Sequence, residues 1–440
     1  MKFAKLSLVA AVAVAGFTTA NAQPLEQAIK DVDVSGSVVY RYNDYSDDKA
    51  TGTAATDAGQ KYDRSNNNYK IGLNVSSKVN DDVKFNSRFL VADMANAAAF
   101  APLDSSSSGD ANVNTQLSQA NFAYTGLKNT TVTVGKQGLN TPYTTGAMID
   151  ENEQNGTGAM VLSAVGPVTL GAAYFNQTNL GTSGDTLQGL NSKSTSTTDV
   201  KYGSTTVGSF TTTTTNDDFG NKDVSALAVI ANLGPVTADA WYLKLDNVFD
   251  TYTVGAKSDL TLGGIALGAT ARYASLTLED NVAAEVRGDK KYTDNDIIKL
   301  GLTAKAGIFN ASVDYAKTGK DGGLTALDSD ATTALKGWNV NSVDKFDADY
   351  YKLVAGVDIL ANLNLSANYG DLQSKSSATS SANDLEFEEL YGQLTYKMSK
   401  NLTTYVRYGT YTKETTAKTT GETTKDIDAT VGRLQVAYTF

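Results

Sequence analysis

The last eight residues read Arg433-Leu434-Gln435-Val436-Ala437-Tyr438-Thr439-Phe440. Leu434, Val436, Tyr438 and Phe440 share one parity, while Arg433, Gln435 and Thr439 take the other. A period of two puts these sets on opposite faces of one extended strand. The apolar face runs to an aromatic at the final position. Alone, this pattern fits any edge strand, so the other end of the chain decides how it is read.

Residues 1–22 have the parts of a secretory signal: Lys2 and Lys5, a short apolar run from Leu6 to Phe17, and a small-residue cleavage site at Ala20-Asn21-Ala22. The run is too short to span a bilayer as a helix. Cleavage after Ala22 takes 22 residues from 440 and leaves 418, beginning at Gln23. An exported chain ending on Tyr438 and Phe440 resembles outer-membrane barrel proteins of Gram-negative bacteria at their insertion signal. That resemblance implies the barrel-assembly machinery as a partner and a final location among outer-membrane lipid and lipopolysaccharide.

Composition narrows the function. Cysteine and histidine are both absent, which removes disulfides, Ser-His catalysis and the commonest transition-metal ligand. No enzyme is expected. Mean hydropathy is −0.26, so no transmembrane helix is expected after the signal. Proline is scarce at 5 residues, as suits a chain of paired strands, and the 23 tyrosines suit aromatic girdles at membrane interfaces. Loss of Lys2 and Lys5 leaves 35 basic against 48 acidic residues, a net −13. That argues against nucleic acid and is compatible with a cation-attracting pore.

Along the chain one unit recurs: about ten alternating residues, a tight turn, about ten more, then a long polar stretch. Candidate strands fall near 31–45, 68–79, 82–95, 117–127, 131–140, 158–165, 168–177, 222–232, 236–247, 249–260, 264–278, 295–307, 309–318, 347–358, 362–371, 385–398, 402–413 and 428–440. This is an all-β reading: one transmembrane antiparallel β-barrel over 23–440, with about 18 strands and 16 as the alternative even count. Turn chemistry at Asn80-Asp81, Gly166-Pro167, Gly234-Pro235 and Gly263-Gly264 marks the short periplasmic end. Ser/Thr/Asp-rich loops mark the extracellular end, and the stretch 178–222 has room for a hairpin around Tyr202. A soluble sandwich would also alternate, but strand length, loop asymmetry and the single large unit disfavour it.

Three local matches name a family. They are Pro24-Leu25-Glu26-Gln27-Ala28-Ile29-Lys30-Asp31-Val32-Asp33-Val34-Ser35-Gly36, Gly135-Lys136-Gln137 with Leu139-Asn140, and Ile149-Asp150 followed by Gly156-Thr157-Gly158. The chain resembles the Campylobacter-type major outer membrane protein, a trimeric porin family of epsilonproteobacteria. The resemblance implies an 18-stranded homotrimeric channel whose third extracellular loop, here 141–157, folds into the pore.

Charged residues are therefore the candidates for function. Asp150, Glu151 and Glu153 form an acidic patch on the constricting loop, or else a solvated loop tip. Carboxylates select cations in channels, and clustered carboxylate oxygens, Asp150 foremost, suit a bound Ca²⁺. Inward parity collects Arg41, Lys70, Lys84, Arg88, Arg407 and Arg433 on strands that closure makes contiguous. This basic wall either faces the acidic loop across the pore or balances acids buried in the lumen. The expected function is a water-filled, cation-preferring outer-membrane channel for ions and small hydrophilic solutes. The alternative is a surface adhesin or structural protein on a barrel anchor, for which the Thr-rich loops would serve.

Overall fold

The computed structural model describes residues 32–48, 62–93, 99–105, 109–110, 115–146, 152–181, 193–202, 205–215, 219–287 and 289–440. The signal at 1–22 lies outside the described residues. Eighteen strands form one antiparallel ring. The first nine are β1 (Val32–Asp47), β2 (Tyr62–Lys78), β3 (Val83–Val91), β4 (Thr115–Leu127), β5 (Thr130–Gly138), β6 (Asn155–Val165), β7 (Val168–Thr178), β8 (Val224–Leu233) and β9 (Val236–Leu245). The second nine are β10 (Phe249–Leu262), β11 (Ile265–Leu278), β12 (Asp294–Ala306), β13 (Phe309–Thr318), β14 (Phe346–Leu360), β15 (Leu363–Lys375), β16 (Asp384–Lys397), β17 (Leu402–Thr416) and β18 (Thr423–Thr439). Each overlaps the segment expected from alternation, and the count is eighteen.

β18 closes the sheet by pairing with β1, from Ser37 opposite Thr439 to Asp47 opposite Ala429. Closure is obligatory in hydrocarbon, where no water can satisfy an open strand edge. Phe440 extends the seam by one residue. Its N–H donates to Gly36 O at 3.0 Å and its carbonyl accepts from Gly36 N at 2.9 Å. A Cβ on Gly36 would lie 2.6 Å from the Phe440 ring, so glycine there lets the aromatic lie over the strand. Tyr438 stacks beside Phe440, with centroids 5.8 Å apart.

On most strands one face is apolar and exposed. Val34 and Val38 on β1, Leu300 and Leu302 on β12, and Leu434 on β18 belong to this lipid-facing set. The tight turns lie at one rim. At Gly263-Gly264 both central residues have positive φ, 57° and 83°, as a two-residue type I′ hairpin demands. The opposite rim carries the longer loops, and its shortest connection joins β9 to β10 through Asp246, Asn247 and Val248. The expected hairpin near Tyr202 exists as Lys193–Tyr202 paired with Thr205–Thr215, in a sheet separate from the ring. Outside the ring, the short strand Ala101–Pro102 pairs with β2 at Asn68 and Tyr69. One helix, α1 (Asp280–Arg287), lies in the β11–β12 loop, with Asp280 in its first turn and Arg287 in its last, the charge order that a helix dipole favours.

The inward face changes along each strand. On β10, Phe249, Thr251 and Thr253 are buried, whereas Lys257, Asp259 and Thr261 on the same face are exposed. Something fills the extracellular half of the lumen, and the periplasmic half opens to water. The seam itself is testable. Deleting Phe440, or replacing Gly36 with Leu, should cut the yield of heat-modifiable, membrane-inserted protein and raise the periplasmic pool. Wild-type insertion of both variants, scored by band shift on unheated gels, would show that the seam contacts are dispensable.

Candidate pore constriction

Two loops account for much of the filling of the extracellular half. The first, described at 139–146 and 152–154, lies between β5 and β6. Its fold is set by Gln154, whose Oε1 accepts from Thr145 N at 3.0 Å and whose backbone N donates to Thr145 O at 2.7 Å. Tyr143 is fully buried, and its hydroxyl donates to Trp241 O on β9 at 3.2 Å. Burial raises the Tyr143 pKa above the ordinary tyrosine value, with a hydrogen bond to Thr251 opposing the rise. The hydroxyl therefore stays protonated at any working pH.

Glu153, one residue before the end of this loop, has no solvent exposure. Its Oε1 is 2.5 Å from Arg88 NH2 and 3.4 Å from Lys70 Nζ, and its Oε2 accepts from Arg88 Nε at 3.0 Å. Arg88 NH1 donates onward to Asn74 Oδ1 at 2.7 Å. Lys70 and Arg88, from β2 and β3, thus clamp the loop to the barrel wall through one carboxylate. Glu153 does not line open water, so the acid expected to face the basic wall across the pore is instead bonded to it. Asp150 and Glu151 lie outside the described residues. Lys84 shares the inward parity but stands opposite Lys78, next to the 79–82 turn, so it belongs to the periplasmic mouth.

The second loop, 319–345, joins β13 to β14, and its role was not foreseen from the sequence. Gly322 to Ser329 is buried without interruption. A buried irregular backbone needs partners for its N–H and C=O groups, and charged side chains from the wall supply many of them. Lys299 Nζ donates to Thr332 O and Ala334 O at 2.6 and 2.7 Å, and Lys352 Nζ to Lys336 O at 3.1 Å. On β16, buried Glu389 accepts from three successive amides, Trp338 N at 2.8 Å, Asn339 N at 2.6 Å and Val340 N at 3.3 Å. Gly337 leaves the space for this, since a Cβ there would overlap the Glu389 carboxylate. The two loops also bond each other: Leu327 N to Tyr143 O at 2.8 Å, Thr333 N to Pro142 O at 2.9 Å, and Gln154 Nε2 to Leu327 O at 2.8 Å. Leu324, Leu327 and Ala331 pack with Leu139, Tyr143 and Leu276 in one apolar cluster. Nearer β14, Lys345 stands over the Phe387 ring at 4.8 Å, and burial lowers its pKa against the opposing charge of Asp344. The signal that would have found this loop is its apolar content. Leu324, Leu327, Leu335, Trp338 and Val340 do not belong in a solvated extracellular loop.

The remaining sequence candidates meet on the wall made by β1, β17 and β18. Arg407 stands opposite Arg433, and Arg433 opposite Asn43. Arg41 is one row away, opposite Gln435. Trp338 reaches this wall, with its ring centroid 5.0 Å from Arg407 and 5.6 Å from Arg433. Two clefts flank the loops. One, of about 240 Å³, is lined by Arg41, Asn43, Asn66, Asn68, Ala99, Phe100 and Asn152. The other, of about 400 Å³, lies across the lumen among Asn140, Thr144, Asp239, Arg272 and Thr332, where Arg272 grips Asp239 at 2.7 and 2.9 Å.

A closed barrel with an apolar exterior, a polar interior and inward-folded loops is an outer-membrane porin-like barrel. The chain belongs to the Campylobacter major outer membrane protein family, whose model matches residues 1–440. No curated protein sequence matches it. Among solved structures it is similar in fold to Pseudomonas aeruginosa OccK1 (OpdK), with TM-score 0.62 and 13% identity over 93% of this chain and 98% of that one. It is also similar to OccK2 (OpdF) from the same organism, TM-score 0.64 and 15% identity over 93% and 98%, and to its OpdL, TM-score 0.63 and 16% over 93% and 99%.

Replacing Glu153 with Gln removes the buried carboxylate that Arg88 and Lys70 share. Removing one member of a buried ion pair costs about 3–5 kcal/mol, and a loss of that order should appear in urea unfolding from liposomes. A change below about 1 kcal/mol would mean the triad is hydrated and the loop is held by its backbone bonds. Facing is tested separately. In this cysteine-free chain, single cysteines at 407 and 433 should react with a charged thiol reagent, while cysteines at 408 and 434 in the bilayer should not.

Proposed function

We propose that this porin-like barrel is a passive diffusion channel for ions and small hydrophilic solutes, with a net preference for cations. The observation that carries it is the change along the inward face, buried beside the loops and exposed below them, as on β10. It supports a water-filled vestibule beneath a constriction, where an occluded anchor would be filled throughout. Two neighbours of the fold were solved with small organic molecules, OpdK with vanillate and OccK2 with glucuronate, which supports solutes of that size class.

The cation preference rests on charge distribution. The full chain is −11 at pH 7. At the extracellular rim Asp321 lies near Asp294 and Asp296, while Asp344 and Asp347 are ion-paired with Arg287 and Lys317; Lys84, Lys257 and Lys305 lie toward the periplasmic end. An acidic mouth raises the local cation concentration and steers cations inward. Glu153 contributes little because Arg88 and Lys70 neutralise it, so any Ca²⁺ held at the constricting loop falls to Asp150 and Glu151. The homotrimer, the contacts with lipopolysaccharide and handling by the barrel-assembly machinery are part of the same proposal. They rest on the family and on the terminal Tyr438–Phe440 strand.

In planar bilayers the purified protein should give stepwise conductances, with a reversal potential on the cation side in a KCl gradient. Changing Asp150 and Glu151 to Asn and Gln should move that potential toward zero at low salt, where screening is weak. Absence of steps would remove the channel, and an anion-side potential would remove the cation preference alone.

A further inference from the structure

Apolar packing closes most of the extracellular half of the lumen. One cluster ties the loops to β7–β11 through Phe175, Val224, Leu243, Phe249 and Leu276. A second ties the 319–345 loop to β11–β16, with Ile297, Tyr350, Leu372 and Phe387 against Leu335 and Val340. Among the described residues, neither cluster takes a buried residue from β17, β18, β1 or β2. The lumenal side of that remaining strip carries the arginines 407, 433 and 41 with Asn43 and Asn68, and the cleft of about 240 Å³ lies along it. The open route past the loops therefore runs between the arginine strip and the part of the 319–345 loop that faces it. That part is Trp338, half-buried, with its ring centroid 5.0 Å from Arg407 and 5.2 Å from the Tyr391 ring, which it meets edge-on.

Trp338 sits at the tip of a small hairpin within the loop. Lys336 and Asn341 form an antiparallel bridge, and Gly337 N donates to Val340 O at 2.8 Å. Two strands hold this tip. From β14, Lys352 Nζ donates to Lys336 O at 3.1 Å and the Tyr350 hydroxyl to Val340 O at 3.3 Å. From β16, Glu389 takes the successive amides of Trp338, Asn339 and Val340. Consecutive N–H groups turned to one side make a concave seat for an anion, and a carboxylate in it accepts charge-assisted bonds. Glu389 is only 2% exposed, so the seat is dry. Two glycines make room for it. A Cβ at Gly337 would overlap the carboxylate, and one at Gly370, opposite Glu389 on β15, would stand 3.1 Å from its Cγ. One carboxylate thus fixes the backbone of the residue whose ring faces the open route.

Resting on the channel reading above, we propose that Glu389 is a positioning residue for passage: by seating the 337–340 tip it holds Trp338 in the open route and so sets the largest hydrophilic solute that passes. Glu389 does not meet the solute. It acts through Trp338, whose ring narrows the gap to the arginine strip. A glutamine at 389 keeps the shape of the side chain but loses the charge, and its amide turns a donor toward amides that are donors themselves. The tip then leaves its seat, and the ring leaves the route.

The test is single-channel recording in KCl with polyethylene glycols of graded size, because a polymer that enters the pore lowers its conductance and an excluded one does not. Glu389→Gln and Trp338→Ala should each admit larger polymers than wild type and conduct more current per channel. Gly337→Ala, whose methyl group meets the carboxylate, should shift the cutoff the same way. In a Glu389→Ala background that clash is gone, so Gly337→Ala should add nothing there. Glu388→Gln, on the exposed outer face of β16, should keep the wild-type cutoff. A role confined to barrel stability would lower resistance to urea without moving the cutoff. Heat-modifiable migration shows that each variant has folded, and should Glu389→Gln fail to fold, Gly337→Ala carries the test with Glu389 intact. A wild-type cutoff in folded Glu389→Gln or Gly337→Ala, or full additivity in the double variant, overturns the proposal. Absence of channels in the wild-type protein would instead sink the porin reading.

Discussion

A strand edge in hydrocarbon has nothing to bond to, and every other feature of this barrel follows from that constraint. The ring must close, so the last strand must find the first across nearly the whole length of the chain. Closure then fixes which residues share the lumen. Arg41 near one end of the sequence meets Gln435 near the other at 2.8 Å, and the arginine strip exists only because β18 lies against β1. The terminal aromatic contributes to the same event, since Phe440 exchanges both backbone bonds with Gly36.

A ring of eighteen strands encloses more space than its inward side chains can fill, and the remainder is managed by loops with no regular structure. Their backbone groups need partners as much as those of the strands do. The wall answers with charge: lysines donate to loop carbonyls, and Glu389 accepts from loop amides. Many of the ionic groups in the lumen are therefore structural fasteners. Which of them bond a carboxylate, as Arg88 and Arg272 do, cannot be told by charge counting along the sequence.

The sequence makes the barrel legible because lipid imposes a period of two on every crossing, and eighteen such segments are hard to read otherwise. Turn residues such as Gly263-Gly264 set the rims. The constricting loop was legible only through resemblance, and Glu153 shows the limit of that route. Its type and neighbourhood suggest a pore-lining acid, but whether a carboxylate faces water or a guanidinium depends on a register between β3 and a loop some sixty residues later. The 319–345 loop went unread because strand reasoning treats everything between strands as solvent-exposed, although its leucines and Trp338 signalled otherwise.

The fastening of 319–345 divides the outward side of the molecule into two kinds of chain. The 193–215 hairpin forms its own sheet and pairs with no barrel strand. Its backbone bonds are made within the pair, so they do not depend on the register of the ring. The 319–345 loop is tied at Gly337, Trp338 and its carbonyls to partners on β12, β14 and β16, so a change there must be matched on a distant strand. A lineage pressed to alter its surface has the first kind of segment to spend, and the passage beneath is left intact.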